Sequence, residues 1–192
     1  ETYTVNYYLQ NANDNGYTKS DEYSQTYNTS NGNLNPKEIY GYEYSHERNW
    51  RNTYNFYYDR TTQDIVYYYN DSEIERISNI RFGADISGNR YNFVPETPEG
   101  LEGYTFLGWY ENSEGYGEPY KFDTMPGNDL ALYAIWKAPE WDITLNFEDG
   151  KTNAQIIPVP HGTVPLIPIP VREGYTFDGW YYEDGTEYDV NE

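Results

Sequence analysis

The chain has 192 residues with 32 acidic and 12 basic side chains, giving a formal net charge of −20 and a pI near 4.2, which disfavours nucleic acid and anionic membrane surfaces as partners. It has no cysteine, so disulfides, thiolate metal sites and a cysteine nucleophile are excluded. A mean hydropathy of −0.97 would suit a disordered chain, but 25 Tyr, 7 Phe and 5 Trp supply rings that each bury on the order of 150–250 Å², so a folded, strand-rich protein is expected.

The chain opens at Glu1 directly on a strand pattern, which fits an excised piece of a longer protein. Tyr3 to Gln10 largely alternates polar and apolar positions with high β propensity. Asn13-Asp14-Asn15-Gly16 follows, and the chain returns as a strand from Tyr17; Asn-Gly between two strands predicts a hairpin with a positive-φ turn. The same stretch, Asn11-x-Asn13-x-Asn15-Gly16 with Glu22 further on, comes close to an EF-hand calcium loop. Its first position is Asn instead of Asp and its flanks are strands, so the turn reading is kept. Asn35 as cap and Pro36 at the first helical position predict a short helix opening at Asn35–Glu38. Tyr54 to Arg60 closes this first unit as another strand. The opening Tyr3-Thr4-Val5-Asn6-Tyr7-Tyr8 and the closing Phe56-Tyr57-Tyr58-Asp59-Arg60 resemble mucin-binding-protein-like (MucBP-like) modules. That resemblance implies a β-grasp-like module over residues 1–61, and it fixes no ligand residues.

Asp64 to Tyr69 reads as the next strand. Ser72-Glu73-Ile74-Glu75 fits a capping box, but alignment with the later repeat favours strand pairing through Ile80 and Phe82. Residues 102–110 then read Glu-Gly-Tyr-Thr-Phe-Leu-Gly-Trp-Tyr and residues 173–181 read Glu-Gly-Tyr-Thr-Phe-Asp-Gly-Trp-Tyr, agreeing at eight of nine positions with Tyr104 and Tyr175 71 residues apart. Upstream, Asp64–Tyr69 corresponds to Asp142–Phe147, and Phe82-Gly83-Ala84 to His161-Gly162-Thr163. In the first copy Leu130-Ala131-Leu132-Tyr133-Ala134-Ile135-Trp136 has the mark of a closing strand. The matching Trp of the second copy would fall beyond Glu192, so that copy reads as cut before its last strand. Pro158, Pro160, Pro165, Pro168 and Pro170 predict an edge strand or an extended link. Pro139 stiffens the short join Lys137-Ala138-Pro139-Glu140.

Gly-Tyr-Thr-Phe-x-Gly-Trp-Tyr, the Pro-bearing link before it and the closing Leu-x-Leu-Tyr-Ala-x-Trp resemble the internalin-type B repeat, or Listeria–Bacteroides repeat. The resemblance implies tandem β-grasp-like modules of cell-surface proteins with no catalytic residue to carry over. The expected fold is therefore α+β, mostly β, as tandem small ubiquitin-like modules in an elongated array: 1–61 MucBP-like, 62–138 a B repeat, and 139–192 a second, shortened one.

No catalytic, cofactor or metal residue is assigned, and no binding residue is fixed. His46 and His161 are the only histidines, and neither has a nucleophile elbow beside it. Glu111, Glu114, Glu118 and Asp123 read as a solvated edge, and Glu183-Asp184-Gly185 as a turn. Trp109 and Trp180 could stack on sugars, but their identical settings favour core anchors. Lysine occurs only at 19, 37, 121, 137 and 151, with no buried isopeptide triad recognisable. The expected function is a non-enzymatic, extracellular repeat region on a bacterial cell surface. It would act as a spacer, or in adhesion to a protein or glycan of a host or partner cell. No nucleic-acid partner, cofactor or membrane insertion is expected, and the fragment should be a monomer. A carbohydrate-binding module using exposed Tyr and Trp is the competing reading.

Overall fold

Alternating and aromatic-rich segments become strands throughout the computed structural model, which describes residues 2–28 and 34–189. All ten regular elements are strands: β1 (Tyr3–Gln10), β2 (Tyr17–Tyr27), β3 (Tyr42–Trp50), β4 (Thr53–Arg60), β5 (Thr62–Tyr69), β6 (Ser72–Arg81), β7 (Thr105–Tyr110), β8 (Leu130–Lys137), β9 (Glu140–Leu145) and β10 (Gln155–Pro160). The expected α+β class is overturned, because no helix occurs among the described residues and the modules are therefore not α+β β-grasp units.

The first sheet has the order β2-β1-β4-β3. β1 and β2 form an antiparallel hairpin, β1 and β4 run parallel from Thr4↔Thr53 to Leu9↔Tyr58, and β3 pairs antiparallel with β4. The predicted hairpin is present, but neither Asn15 nor Gly16 has positive φ. Instead the Asp14 carboxylate accepts from the Gly16 N–H at 2.7 Å and from the Asn11 amide at 2.8 Å, so a side chain shapes the loop. The predicted helix at Asn35–Glu38 is also absent. So short a segment would fix several dihedrals for about one hydrogen bond. Here the Lys37 carbonyl accepts from the Tyr58 hydroxyl at 2.8 Å, and Ile39 is buried with Val5, Tyr7, Phe56 and Tyr58.

The second sheet, β6-β5-β8-β7, repeats that strand order. β5 and β6 are antiparallel, and β5 and β8 run parallel with Ile65↔Leu130, Val66↔Ala131, Tyr67↔Leu132 and Tyr68↔Tyr133 in register. Ser72 thus starts a strand and not a helix, as the repeat alignment required. The core gathers Ile65, Tyr67, Trp109, Leu130, Leu132 and Ala134. Each fully buried side chain of this size is worth roughly 1.5–3 kcal/mol over leaving it exposed.

Residues up to Thr97 with Phe106–Trp136 form one unit, which holds both four-stranded sheets, and Pro98–Thr105 with the chain from Lys137 form another. Within the first unit the two sheets are clasped by side chains. The Arg60 guanidinium donates to the Gln10 carbonyl and the Phe82 carbonyl, each at 2.7 Å. Phe82 packs edge-on against Tyr40 and Tyr42, at 5.3 and 5.6 Å between centroids. Gly41 (φ 79°) permits that approach, since a Cβ there would lie 2.2 Å from the Phe82 ring.

The second unit contains one two-stranded sheet, β9 and β10, antiparallel from Glu140↔Pro160 to Leu145↔Gln155. Pro158 and Pro160 lie in β10, an edge strand that pairs only with β9 among the described residues, where a missing N–H is tolerated.

Candidate functional site

The duplicated aromatic block is built twice with the same parts and buried to different depths. In the first copy Trp109 is 1% exposed, its indole N–H donates to the Phe93 carbonyl at 2.8 Å, and Tyr67, Phe93 and Phe106 surround it with ring centroids 4.7–5.5 Å away. In the second copy Trp180 is half-buried, its N–H donates to the Pro168 carbonyl at 3.0 Å, and Phe147 and Phe177 lie 5.5 and 5.6 Å away. Both indoles are thus held by a carbonyl from the preceding link, which is the polar handle a packed Trp requires. Tyr110 is 7% exposed whereas Tyr181 is 49% exposed. The glycine before each Trp has positive φ, 135° at Gly108 and 157° at Gly179; a Cβ on Gly108 would meet Pro119 at 3.0 Å.

Around Trp180 the second copy opens a groove of about 510 Å³, lined by Phe147, Asp149, Arg172, Tyr175 and Phe177 among others. Asp149 organises one wall. Its carboxylate accepts from the Thr152 hydroxyl at 2.6 Å and from the Thr152 and Lys151 N–H groups at 2.7 and 2.9 Å. The Thr152 bonds first, then Lys151, hold its pKa at about 2. The Arg172 guanidinium sits 4.0 Å from the Tyr175 ring centroid, a cation–π contact.

Residues 64–135 and again 142–192 match the Listeria-Bacteroides repeat domain, together well over half of the chain. The chain belongs to this family. Over 93 residues it is 39% identical to Internalin H of Listeria monocytogenes serovar 1/2a (strain ATCC BAA-679 / EGD-e), covering 46% of this chain and 16% of that protein. Two proteins of Evansella cellulosilytica, named "Putative membrane protein" and "Putative Gly-rich membrane protein", are 32% and 33% identical over 91 and 93 residues. Those matches cover 47% of this chain and only 13% and 10% of the relatives.

Outside the anchors of the two Listeria-Bacteroides repeats, the candidate residues are dispersed. The calcium-like loop ahead of the first repeat faces a guanidinium: Arg81 donates to the Asp14 carbonyl and Asn15 Oδ1, both at 2.6 Å, and to the Asn11 carbonyl at 3.3 Å. Oxygens that a cation loop would point at a metal point here at a side chain from β6. Among the described residues no three His, Asp or Glu side chains converge as a metal site.

His46 stacks on Tyr57 at 4.6 Å with its Nδ1 3.1 Å from the Ser45 hydroxyl, and His161 Nδ1 accepts from the Trp141 indole at 3.4 Å. Glu111, Glu114, Glu118 and Asp123 are exposed in the first repeat. Burial, followed by the Glu111 and Asp123 charges, pushes the Tyr120 hydroxyl pKa up. Glu183-Asp184-Gly185 forms a turn closed by Gly185 N–H to the Tyr182 carbonyl at 2.9 Å, with Asp184 lowered by its bonds to Thr186. All five lysines are exposed. Sequence reasoning missed the Arg60 and Arg81 clasps, because nothing in the spacing of a lone Arg at a strand end marks carbonyls some 50–70 positions away as its partners.

Proposed function

We propose that this chain is a non-enzymatic, extracellular stretch of a bacterial surface protein whose Listeria-Bacteroides repeats act as a spacer. The observation that carries the reading is the fate of the repeated aromatics. Trp109 is fully enclosed by its own repeat, so what has been duplicated is a device for holding a core together. Modules that bury their own anchors add length without adding chemistry. The likeness to Internalin H and to two proteins named for a membrane supports a place at the cell surface. We read residues 1–61 as a preceding MucBP-like module, supported by a strand order that recurs in the first repeat.

The reading is tested on intact cells of a strain that carries the gene. Antibodies raised against the 192-residue chain should label unpermeabilised cells, and labelling only after permeabilisation would overturn the surface assignment. Spacer and adhesin separate on immobilised chain, which should show no saturable uptake of glycans or host extracellular proteins.

The carbohydrate reading keeps one specific support. Trp50 is 72% exposed with the Arg51 guanidinium 5.8 Å from its ring, an open platform of the kind a sugar face covers. Saturable glycan binding abolished by Trp50→Ala would make it the better account.

A further inference from the structure

The first module passes into the first repeat with a single residue between strands: β4 ends at Arg60 and β5 begins at Thr62. Modules joined end to end move relative to each other by default, unless the join itself is tied down. Here it is tied on both sides. The Thr61 N–H donates to the Gly41 carbonyl of the first module at 3.0 Å, and the Thr61 carbonyl accepts from the Phe82 N–H of the repeat at 2.8 Å. Swinging the linker residue would therefore break a backbone hydrogen bond on one side or the other. The buried Gln63 amide adds a bond to Thr61 Oγ1 at 2.7 Å.

Two arginines cross the join in opposite directions. Arg60, from the first module, donates to the Phe82 carbonyl of the repeat, and its guanidinium lies 5.2 Å from the Tyr42 ring centroid. Arg81, from the repeat, donates to the Asn11 and Asp14 carbonyls of the first module. These acceptors are backbone carbonyls, which hold position where a carboxylate side chain could swing away. Phe82 packs against both Tyr40 and Tyr42, and the Tyr40 hydroxyl accepts from the Gly127 N–H at 3.0 Å. The repeat thus holds the first module at three places: the β1–β2 loop, the Tyr40–Tyr42 turn and the linker.

We propose that this joint makes the β1–β4 and β5–β8 sheets one cooperative body, in which Phe82 and Arg81 of the repeat hold both the fold and the direction of the first module. Neither side chain is among the buried residues of the repeat's own core, so their contacts serve the other side of the joint. The coupling is a property of the chain itself and holds wherever the protein resides.

Residual dipolar couplings on the isotopically labelled 192-residue chain test the direction, and amide hydrogen exchange tests the fold. One alignment tensor should fit β1–β4 and β5–β8 together. Phe82→Ala combined with Arg81→Met removes the repeat's two side-chain holds. It should lower exchange protection of the β1–β4 amides by about tenfold or more, the scale of two edge-to-face ring contacts and a charged hydrogen bond. Protection of β5–β8 should change by less than about threefold, as for substitutions outside a core. Arg81→Met alone, which leaves Phe82 in place, should show the same pattern in smaller measure. Separate tensors for the two sheets in the unaltered chain would overturn the joint. So would unchanged β1–β4 protection in either variant, or a loss centred on β5–β8, which would make Phe82 and Arg81 supports of their own repeat.

Discussion

The two copies of Glu-Gly-Tyr-Thr-Phe-x-Gly-Trp-Tyr differ at one residue, yet one is a sealed core and the other a half-open groove. In the first repeat β7 is a strand because β8 runs beside it, and Tyr110 is buried. In the second, Thr176–Trp180 is not a strand, Tyr181 makes a lone bridge to Glu187, and no ladder partner follows among the described residues. Local sequence therefore fixes the small devices, namely the indole-to-carbonyl bond and the positive-φ glycine. Strand identity and burial are conferred by a neighbour far along the chain.

The largest expected effect comes from truncating the anchors. Trp109→Ala should cost the first repeat about 3–5 kcal/mol, the range for emptying a packed aromatic site. Trp180→Ala should cost the second repeat less than Trp109→Ala costs the first, since the Trp180 ring is only partly enclosed. Denaturant melts followed by residue-resolved NMR separate the two, and equal losses would break the comparison.

Gly108→Ala forces a side chain into a φ of 135° with Pro119 in the way, so a loss of about 1–3 kcal/mol is expected. Gly179→Ala is similarly strained in φ, but its Cβ meets the flexible end of Glu187 at 3.3 Å, and the loss should be smaller. A greater effect at Gly179 would mean that the second repeat is the more tightly held of the two.

Alkali should act next, and mainly on the first unit. Burial, then the neighbouring Tyr7, pushes the Tyr58 hydroxyl up from 10.0 to about 12, and burial of Tyr67 raises it as well. The folded-state pKa lies above the unfolded one, so this stability is complete below pH 10 and is lost as pH rises through about 12. Tyrosinate absorbance should therefore rise in two phases, the second coinciding with loss of the β1–β4 signals.

The smallest effect is at Asp149. Its folded pKa of about 2 lies below the ordinary 3.8, so the turn is fully supported above 3.8 and loosens as pH falls toward 2. Thr152→Val should bring the carboxyl back toward the ordinary value, read from its side-chain carbon shift. No change would show that the backbone N–H groups alone hold it.

Much of this architecture was legible in the chain, and the failures have physical causes. The alternation of Tyr3 to Gln10 and the closing run at Leu130 gave strands where expected, and the repeat alignment settled β6 against a capping box. Asn35-Pro36 misled because helix caps were present without enough helix behind them to repay nucleation. The class assignment failed with it, since α+β was an inference from resemblance that no helical periodicity supported. The Asn-Gly hairpin was found but its turn type was not, because the Asp14 side chain supplies the bonds that a positive-φ turn would otherwise make. Trp109 is the buried anchor that its repeated setting predicted, whereas Trp180 is only partly enclosed. Their difference in burial could not be read locally, because it depends on β8.

The parallel pairing of β1 with β4 has a mechanical consequence. Chain enters this sheet at the start of β1 and leaves at the end of β4, and in a parallel pair those two points lie at opposite ends of the ladder. Tension applied through the chain would slide the two central strands past each other, loading every rung from Thr4↔Thr53 to Leu9↔Tyr58 at once instead of opening them one by one. The β5–β8 pair is threaded the same way. Each four-stranded sheet is thus wired as a shear clamp, a geometry suited to a part that must transmit pulling force without giving way.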